Sequence, residues 1–195
     1  MVDYSELRLK DRIAPGARVL FVGINPGVRS ALSGHHFAGP SNNFWKILHA
    51  SGLVPEPLTH VDDDRLPEWG YGITNIVARP TPGVSDLTLA ELRAGRAALE
   101  RKVRRYKPAI VALVGITVYR ALFPVGRSFS SGDHSGDRSN GRSGAVRPGR
   151  TLDTLAGAPV WVLPNPSGRN AHYSYADMVK AFRGLRTTGV TRARR

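Results

Sequence analysis

Four short apolar runs, separated by segments of helical periodicity, constrain the fold of this chain more than any other feature. The runs cover residues 19–24, 72–77, 109–114 and 159–163, and their β-branched content predicts buried strands. Strands that alternate with helices pair in parallel, because each crossover helix returns the chain to the same end of the sheet. We therefore predict an α/β protein, a three-layer α/β/α sandwich with a mainly parallel central sheet.

Helix-start signals stand between these runs. Ser41 precedes an apolar helical pattern, and Thr88 with Glu91 forms a T-x-x-E capping box before the longest one. Further helices are predicted after Gly115 and Ser174. Each predicted helix lies between two strands or after the last strand, as a parallel sheet requires.

Length and composition indicate a single domain over residues 1–195. The chain has 195 residues, of which 41% are hydrophobic, and this is enough apolar material for one core. Residues 126–150 are rich in Gly, Ser, Arg and Asp and predict a flexible surface insertion. Residues 186–195 predict a basic C-terminal tail.

The charge balance favours a polyanionic partner. Lys and Arg number 28 against 15 Asp and Glu, a formal net charge of +13, which makes nucleic acid the leading candidate. The absence of cysteine excludes disulfides, iron–sulfur clusters and thiolate zinc sites. His35 and His36 have no third ligand at a recognised spacing, so we expect exposed loop histidines and no metal.

No apolar run approaches the length of a membrane span, and the amino terminus carries no apolar signal region. We therefore expect an intracellular protein in the cytoplasm, associated with nucleic acid and not with a membrane.

Three predicted strands end in loops rich in proline and glycine: "GINPG", "ARPTPGVSD" and "PNPSGRNAHYS". Ligands of parallel sheets collect beyond the carboxyl ends of the strands, so these loops predict the site. The first is not a phosphate cradle, because Pro26 has no N–H and the glycine spacing fits neither nucleotide fingerprint. Asn25 is the only side chain in "GINPG" with both donors and an acceptor.

Read together, the loops resemble one family. "GINPG", "FAGPSNNFW", "GITNIVARPT" and "WVLPNPSG" are similar in order and spacing to the mismatch-specific uracil/thymine-DNA glycosylases, the second family of the uracil-DNA glycosylase superfamily. The match runs from about Ile13 to Leu185 and leaves out the insertion and the tail. The absence of cysteine separates the chain from the branches of the superfamily that carry an iron–sulfur cluster.

The resemblance implies an enzyme that flips uracil mispaired with guanine, and in some cases thymine, out of duplex DNA. It hydrolyses the N-glycosidic bond and leaves an abasic site, as a monomer and without metal or cofactor. Asn25 corresponds to the residue that positions water, Phe37 to the ring that stacks on uracil, and Ile24 to a backbone contact. Asn165 corresponds to a residue that holds the extruded nucleotide and its flanking phosphate.

The resemblance also implies a set of DNA contacts, with Gly168 and Arg169 at the intercalating wedge. Asn75 stands where the family often has lysine, which removes a positive charge near the sugar or phosphate. The implied DNA-binding residues are Ser30, Asn75, Ser167, Gly168, Arg169 and Asn170.

Two questions stay open at this point. Asp86 is the nearest carboxylate in sequence to the predicted site and would be a stronger base than the neutral amide of Asn25, but it can equally serve the following helix end. The second question is whether the chain is an enzyme or a catalytically inactive nucleic-acid-binding module of the same fold. Asn25, Phe37 and Asn165 on separate strand ends favour the enzyme.

Overall fold

The structure is a computed structural model that describes residues 4, 6–123, 146–168 and 170–187. Its sheet has five strands in the order β2-β1-β3-β5-β4. The strands are β1 (Val19–Gly23), β2 (Tyr71–Asn75), β3 (Val111–Val114), β4 (Gly149–Leu155) and β5 (Ala158–Leu163). All neighbouring pairs are parallel except β4 with β5, so the predicted α/β fold with a mainly parallel sheet is confirmed.

Helices cover both faces of the sheet and make the three layers. They are α1 (Val28–Ser33), α2 (Phe44–Ala50), α3 (Leu89–Tyr106), α4 (Ile116–Leu122) and α5 (Tyr175–Arg183). The described residues also form three 3₁₀ helices, at His60–Trp69, Val84–Asp86 and Gly184–Thr187. Side chains of β1 alternate between two cores: Phe21 packs with α2 and α5, and Val22 packs with α3 and α4.

The predicted starts of three helices are confirmed. Thr88 accepts a hydrogen bond from the backbone N–H of Glu91 and caps α3, and Ser174 caps α5 in the same way through Asp177. Gly115 is the residue before α4.

The start predicted at Ser41 is wrong. The residue before α2 is Asn43, and the side-chain oxygen of Asn42 accepts the N–H of Phe44 at 2.9 Å. The backbone carbonyl of Ser41 instead accepts the N–H of Gly168 at 2.7 Å, so Ser41 belongs to a contact between two loops.

β4 was not predicted from the sequence, because it is an edge strand with one face in water. Its exposed positions include Arg150, Leu152 and Thr154, so no continuous apolar run marks it. The predicted insertion at 126–150 overlaps its start, since Gly149 and Arg150 are strand residues. Residues 124–145 and the tail from residue 188 lie outside the described residues.

Among the helices described, none combines the length and the apolar character that crossing a lipid bilayer requires.

Candidate active site

The predicted site residues of β1, β2 and β5 lie at one edge of the sheet. Gly23 and Asn75 are paired in register at the ends of β1 and β2. Ile24 and Asn25 follow β1 directly, and Asn165 follows β5. Since parallel strands end at the same edge, the topology brings together side chains that are up to 140 positions apart in sequence, between Asn25 and Asn165.

The side-chain amide of Asn25 is held in one orientation. Its Nδ2 donates to the backbone carbonyl of Arg79 at 3.2 Å and to Oγ1 of Thr81 at 2.7 Å. A backbone carbonyl can only accept, so the NH₂ group must face this loop and Oδ1 must face away from it. Oδ1 receives no hydrogen bond from any described residue and is left as an open acceptor.

The loop that holds Asn25 is fixed to α3. The Arg79 guanidinium contacts the Glu91 carboxylate through two hydrogen bonds of 2.7 and 3.1 Å. These bonds lower the pKa of Glu91 from 4.5 to about 2, with a further contribution from the Thr88 cap. Thr81 is buried, and its hydroxyl donates to the carbonyl of Gly83 at 2.6 Å. The acceptor for Asn25 is therefore part of a rigid loop.

Asp86 lies in this loop but is not hydrogen-bonded to Asn25. Its side-chain oxygen accepts the N–H of Gly83 at 3.0 Å, and its backbone carbonyl accepts a bond from Arg79 at 3.0 Å. The carboxylate thus closes the short 3₁₀ helix in which it stands. This geometry favours the structural alternative for Asp86 over the role of a base.

The ring of Phe37 lies close to the end of β1. It stacks on Phe44 with centroids 4.2 Å apart, and its Cζ would be 3.7 Å from a Cβ placed on Gly23. The same Cβ would lie 2.5 Å from Oδ1 of Asn75, so glycine at position 23 leaves the space that both side chains use. Phe37 has a φ of 52°, which is strained for a residue other than glycine.

Ser30 and His36 are buried and form hydrogen bonds that hold the Phe37 loop, residues 35–38, in place. Ser30 is 7% exposed, and its Oγ accepts the N–H of Ala38 at 3.0 Å. His36 is 2% exposed, so the expectation of an exposed histidine is wrong at this position. Its Nε2 donates to the carbonyl of Lys10 at 3.1 Å, and burial lowers its pKa. The Ser30 hydroxyl, which the resemblance implies as a DNA contact, thus accepts a hydrogen bond from within the protein.

The loop after β5 is tied to the start of α2. The N–H of Gly168 donates to Ser41, and a Cβ on Gly168 would lie 2.7 Å from that carbonyl oxygen, so the approach requires glycine. Ser167 forms an isolated antiparallel bridge with Asn42. These contacts join the predicted DNA-binding loop to the segment that follows Phe37.

The side chains of Asn165 and Asn170 face different partners in that loop. Oδ1 of Asn165 accepts the N–H of Ser167 at 3.0 Å, while its Nδ2 donates to no described residue. Nδ2 of Asn170 donates to the carbonyl of Asn165 at 2.8 Å, and its Oδ1 accepts the N–H of His172 at 2.9 Å. Asn170 therefore braces the loop, and Arg169 lies outside the described residues.

The family model of the uracil DNA glycosylase superfamily matches residues 11–186. The chain belongs to this superfamily. Its proteins act on DNA, and membership places the chain among the glycosidases of DNA repair, with uracil as the base removed. The matched segment contains every residue of the predicted site.

Across residues 6–123, 146–168 and 170–187, no group of three or more His, Cys, Asp or Glu side chains could hold a metal ion.

A cavity of about 600 Å³ lies between α5 and the β4 edge, lined by Trp161, Tyr173 and Lys180 among others. No described residue of the predicted site lines this cavity, so it is separate from the edge that carries Asn25.

Sequence reasoning missed the residues that hold the site. Arg79 and Thr81 lie inside the quoted motif "GITNIVARPT", but nothing in the motif shows that they bind Asn25, which is 54 and 56 positions away, respectively. Asp63 lies in the acidic run "HVDDDR", a pattern typical of solvated surface. Its side chain is nevertheless fully buried and accepts the backbone N–H of His36. Such long-range partners have no local signal in a single sequence.

Proposed function

We propose that this protein is a monofunctional, mismatch-specific uracil-DNA glycosylase. It acts as a monomer on duplex DNA, flips uracil that is mispaired with guanine out of the stack, and hydrolyses its N-glycosidic bond. The products are free uracil and an abasic site, and the reaction needs no cofactor. Flipping is part of the proposal because the bond to be cut is shielded inside the duplex.

The orientation of the Asn25 amide is the observation that carries the proposal. With both Nδ2 hydrogens bound to Arg79 and Thr81, Oδ1 is an acceptor that can hold one O–H of a water molecule. The water then presents a lone pair to C1′ of the deoxyribose. A neutral amide is a poor base, so its contribution is to place the water for an oxocarbenium-like transition state.

The departing base needs support on the other side of the sugar. Negative charge grows on uracil as the bond breaks, and fixed hydrogen-bond donors stabilise that charge. The N–H of Ile24 donates to no described residue, while its carbonyl is taken by the N–H of Val77 at 2.9 Å. Phe37 supplies an aromatic face at the same edge. We assign the base to the space between them.

The loop after β5 is the proposed contact with the DNA backbone. The Nδ2 of Asn165, which donates to no described residue, can donate to a phosphate or to the extruded nucleotide, and Ser167 and Gly168 lie beside it in the loop. We propose that Arg169 fills the gap that the flipped base leaves in the stack. Asn75 is proposed to contact the DNA near the sugar. Ser30 is not part of the proposed surface, because it is buried and its hydroxyl binds Ala38.

An excision assay tests this proposal and separates it from an inactive binding module. The protein is incubated, with chelator present, on labelled G·U, A·U and G·T duplexes and on single-stranded uracil DNA, and one half of each sample is treated with alkali. We expect strand breaks only after alkali, with G·U cut faster than A·U. Absence of breaks on every uracil substrate contradicts the enzyme, and breaks without alkali contradict the monofunctional class.

A further inference from the structure

A buried carboxylate lies beneath the Phe37 loop. The Asp63 side chain has no exposed surface, and its Oδ1 accepts a hydrogen bond from Nε of Arg12 at 2.9 Å. The same oxygen is 3.1 Å from Nδ1 of His35. Oδ2 accepts the backbone N–H of His36 at 2.9 Å. A buried carboxylate is costly unless donors surround it, so these groups hold one another in place.

Two of these partners are the residues directly before Phe37. The strained φ of 52° at Phe37 would relax in a free loop, and such strain persists only where the surroundings impose it. On the far side, Ala38 is held by the Ser30 hydroxyl at 3.0 Å. Asp63 supplies the corresponding restraint on the near side, through His35 and His36.

We propose that Asp63 is a positioning residue for the base pocket. By binding His35 and the amide of His36, it keeps Phe37 in its left-handed conformation and so sets the place of the ring against the flipped base. The role of the ring rests on the proposed function, whereas the anchoring of the loop is a property of the fold.

A double-mutant cycle with Phe37 tests the positioning role. Asp63→Asn keeps the size of the side chain but puts an NH₂ group where a donor has to be accepted. We expect it to lower the single-turnover rate on G·U duplex about tenfold, and by less than about twofold when Phe37→Ala is already present, because coupled residues are not additive. Equal losses in both backgrounds, or no loss from Asp63→Asn, would overturn the proposal.

Asp153→Asn is the matched control. Asp153 is also a buried aspartate, and it accepts the hydroxyl of Tyr119 at 2.7 Å in the core on the other face of the sheet. Well below its melting temperature, this variant should cleave at the wild-type rate. A tenfold loss here as well would show that removing any buried carboxylate impairs the enzyme, and would overturn a specific role for Asp63.

Hydrogen exchange at the Ala38 amide tests the anchoring without reference to activity. The acceptor of this amide is Ser30 and not Asp63, so its protection reports on the loop as a whole. Exchange should be faster in Asp63→Asn and unchanged in Asp153→Asn. Unchanged exchange in Asp63→Asn overturns the anchoring, whereas a wild-type protein that cleaves no uracil overturns the proposed function instead.

His35→Ala repeats both measurements if Asp63→Asn does not fold. The His35 side chain is 28% exposed, and the substitution removes one partner of Asp63 while the bonds from Arg12 and His36 stay. We expect a smaller loss of rate, again absent in the Phe37→Ala background, and faster exchange at Ala38. Additive losses or unchanged exchange would count against the proposal.

Discussion

In the proposed function, the role of Asn25 depends on which end of its amide faces the substrate. The backbone carbonyl of Arg79 decides this, because only the NH₂ group can donate to it. Thr81 adds a second acceptor at 2.7 Å, so rotation of the amide would break two hydrogen bonds at once. The sequence predicts the position of Asn25 in its loop, but the orientation depends on residues that reach it only through the fold.

Asp86 provides the residue-scale prediction. Its carboxylate accepts the N–H of Gly83 and makes no hydrogen bond to Asn25, and asparagine at this position keeps an acceptor oxygen. We therefore expect Asp86→Asn to change single-turnover cleavage of a G·U duplex by no more than about threefold, as for removal of a group that does not act in the transition state. The measurement uses saturating enzyme. A loss as large as that of Asn25→Ala would instead make Asp86 the base.

For Phe37, the sequence predicts the position of the ring but not the backbone conformation that holds it. The motif "FAGPSNNFW" locates the aromatic ring, and the structure brings it to the end of β1 beside Gly23 and Asn75. The positive φ and the buried Asp63 beneath it could not be predicted, because an acidic run such as "HVDDDR" is ordinarily solvated.

At the scale of elements, the loop that follows β1 is supported by the close approach of α3 to the segment after β2. The carbonyls of Gly23 and Ile24 accept the N–H groups of Ile76 and Val77 at 2.9 Å each. Gly95 of α3 packs against the other side of this segment, where a Cβ would lie 2.5 Å from the carbonyl oxygen of Ile76. Glycine here sets how closely the helix supports the loop that carries Asn25.

Gly95→Ala tests this packing. In an unhindered helix the change stabilises by about 1 kcal/mol. Here we expect a net destabilisation of about 1–3 kcal/mol, because the added methyl group must displace backbone. Thermal or denaturant unfolding measures it, with Arg101→Ala on the exposed face of α3 as control. A stabilised Gly95→Ala variant would show that α3 and the segment after β2 move apart freely.

Elements with buried apolar faces were the ones that the sequence could predict. The four parallel strands are buried and largely apolar, and the caps of α3 and α5 have local signatures. β4 was not predicted because its alternating pattern exposes Arg150 and Thr154 to water. The residue before α2 is Asn43 and not Ser41, whose backbone carbonyl accepts a hydrogen bond from Gly168. Contacts between distant loops decide such boundaries.

At the scale of the molecule, the net charge of +13 and the proposed site at the edge of the sheet both suit DNA as the partner. The charge favours approach to DNA without distinguishing sequences, as phosphate contacts do. The parallel topology collects Asn25, Phe37 and Asn165 at one edge, and the loop after β5 is bonded to the start of α2. In the proposed function, the catalytic residues and the DNA-contacting loop therefore belong to one hydrogen-bonded framework.

The central claim is that the open oxygen of Asn25 places the attacking water, and single-turnover excision by Asn25→Ala tests it most directly. The account predicts a rate on G·U duplex about a hundredfold or more below wild type, the range for loss of a positioned catalytic group. Binding of the duplex, followed by fluorescence anisotropy, should stay within about threefold because Asn25 faces the water and not the backbone. A variant that excises uracil at nearly the wild-type rate would contradict the account.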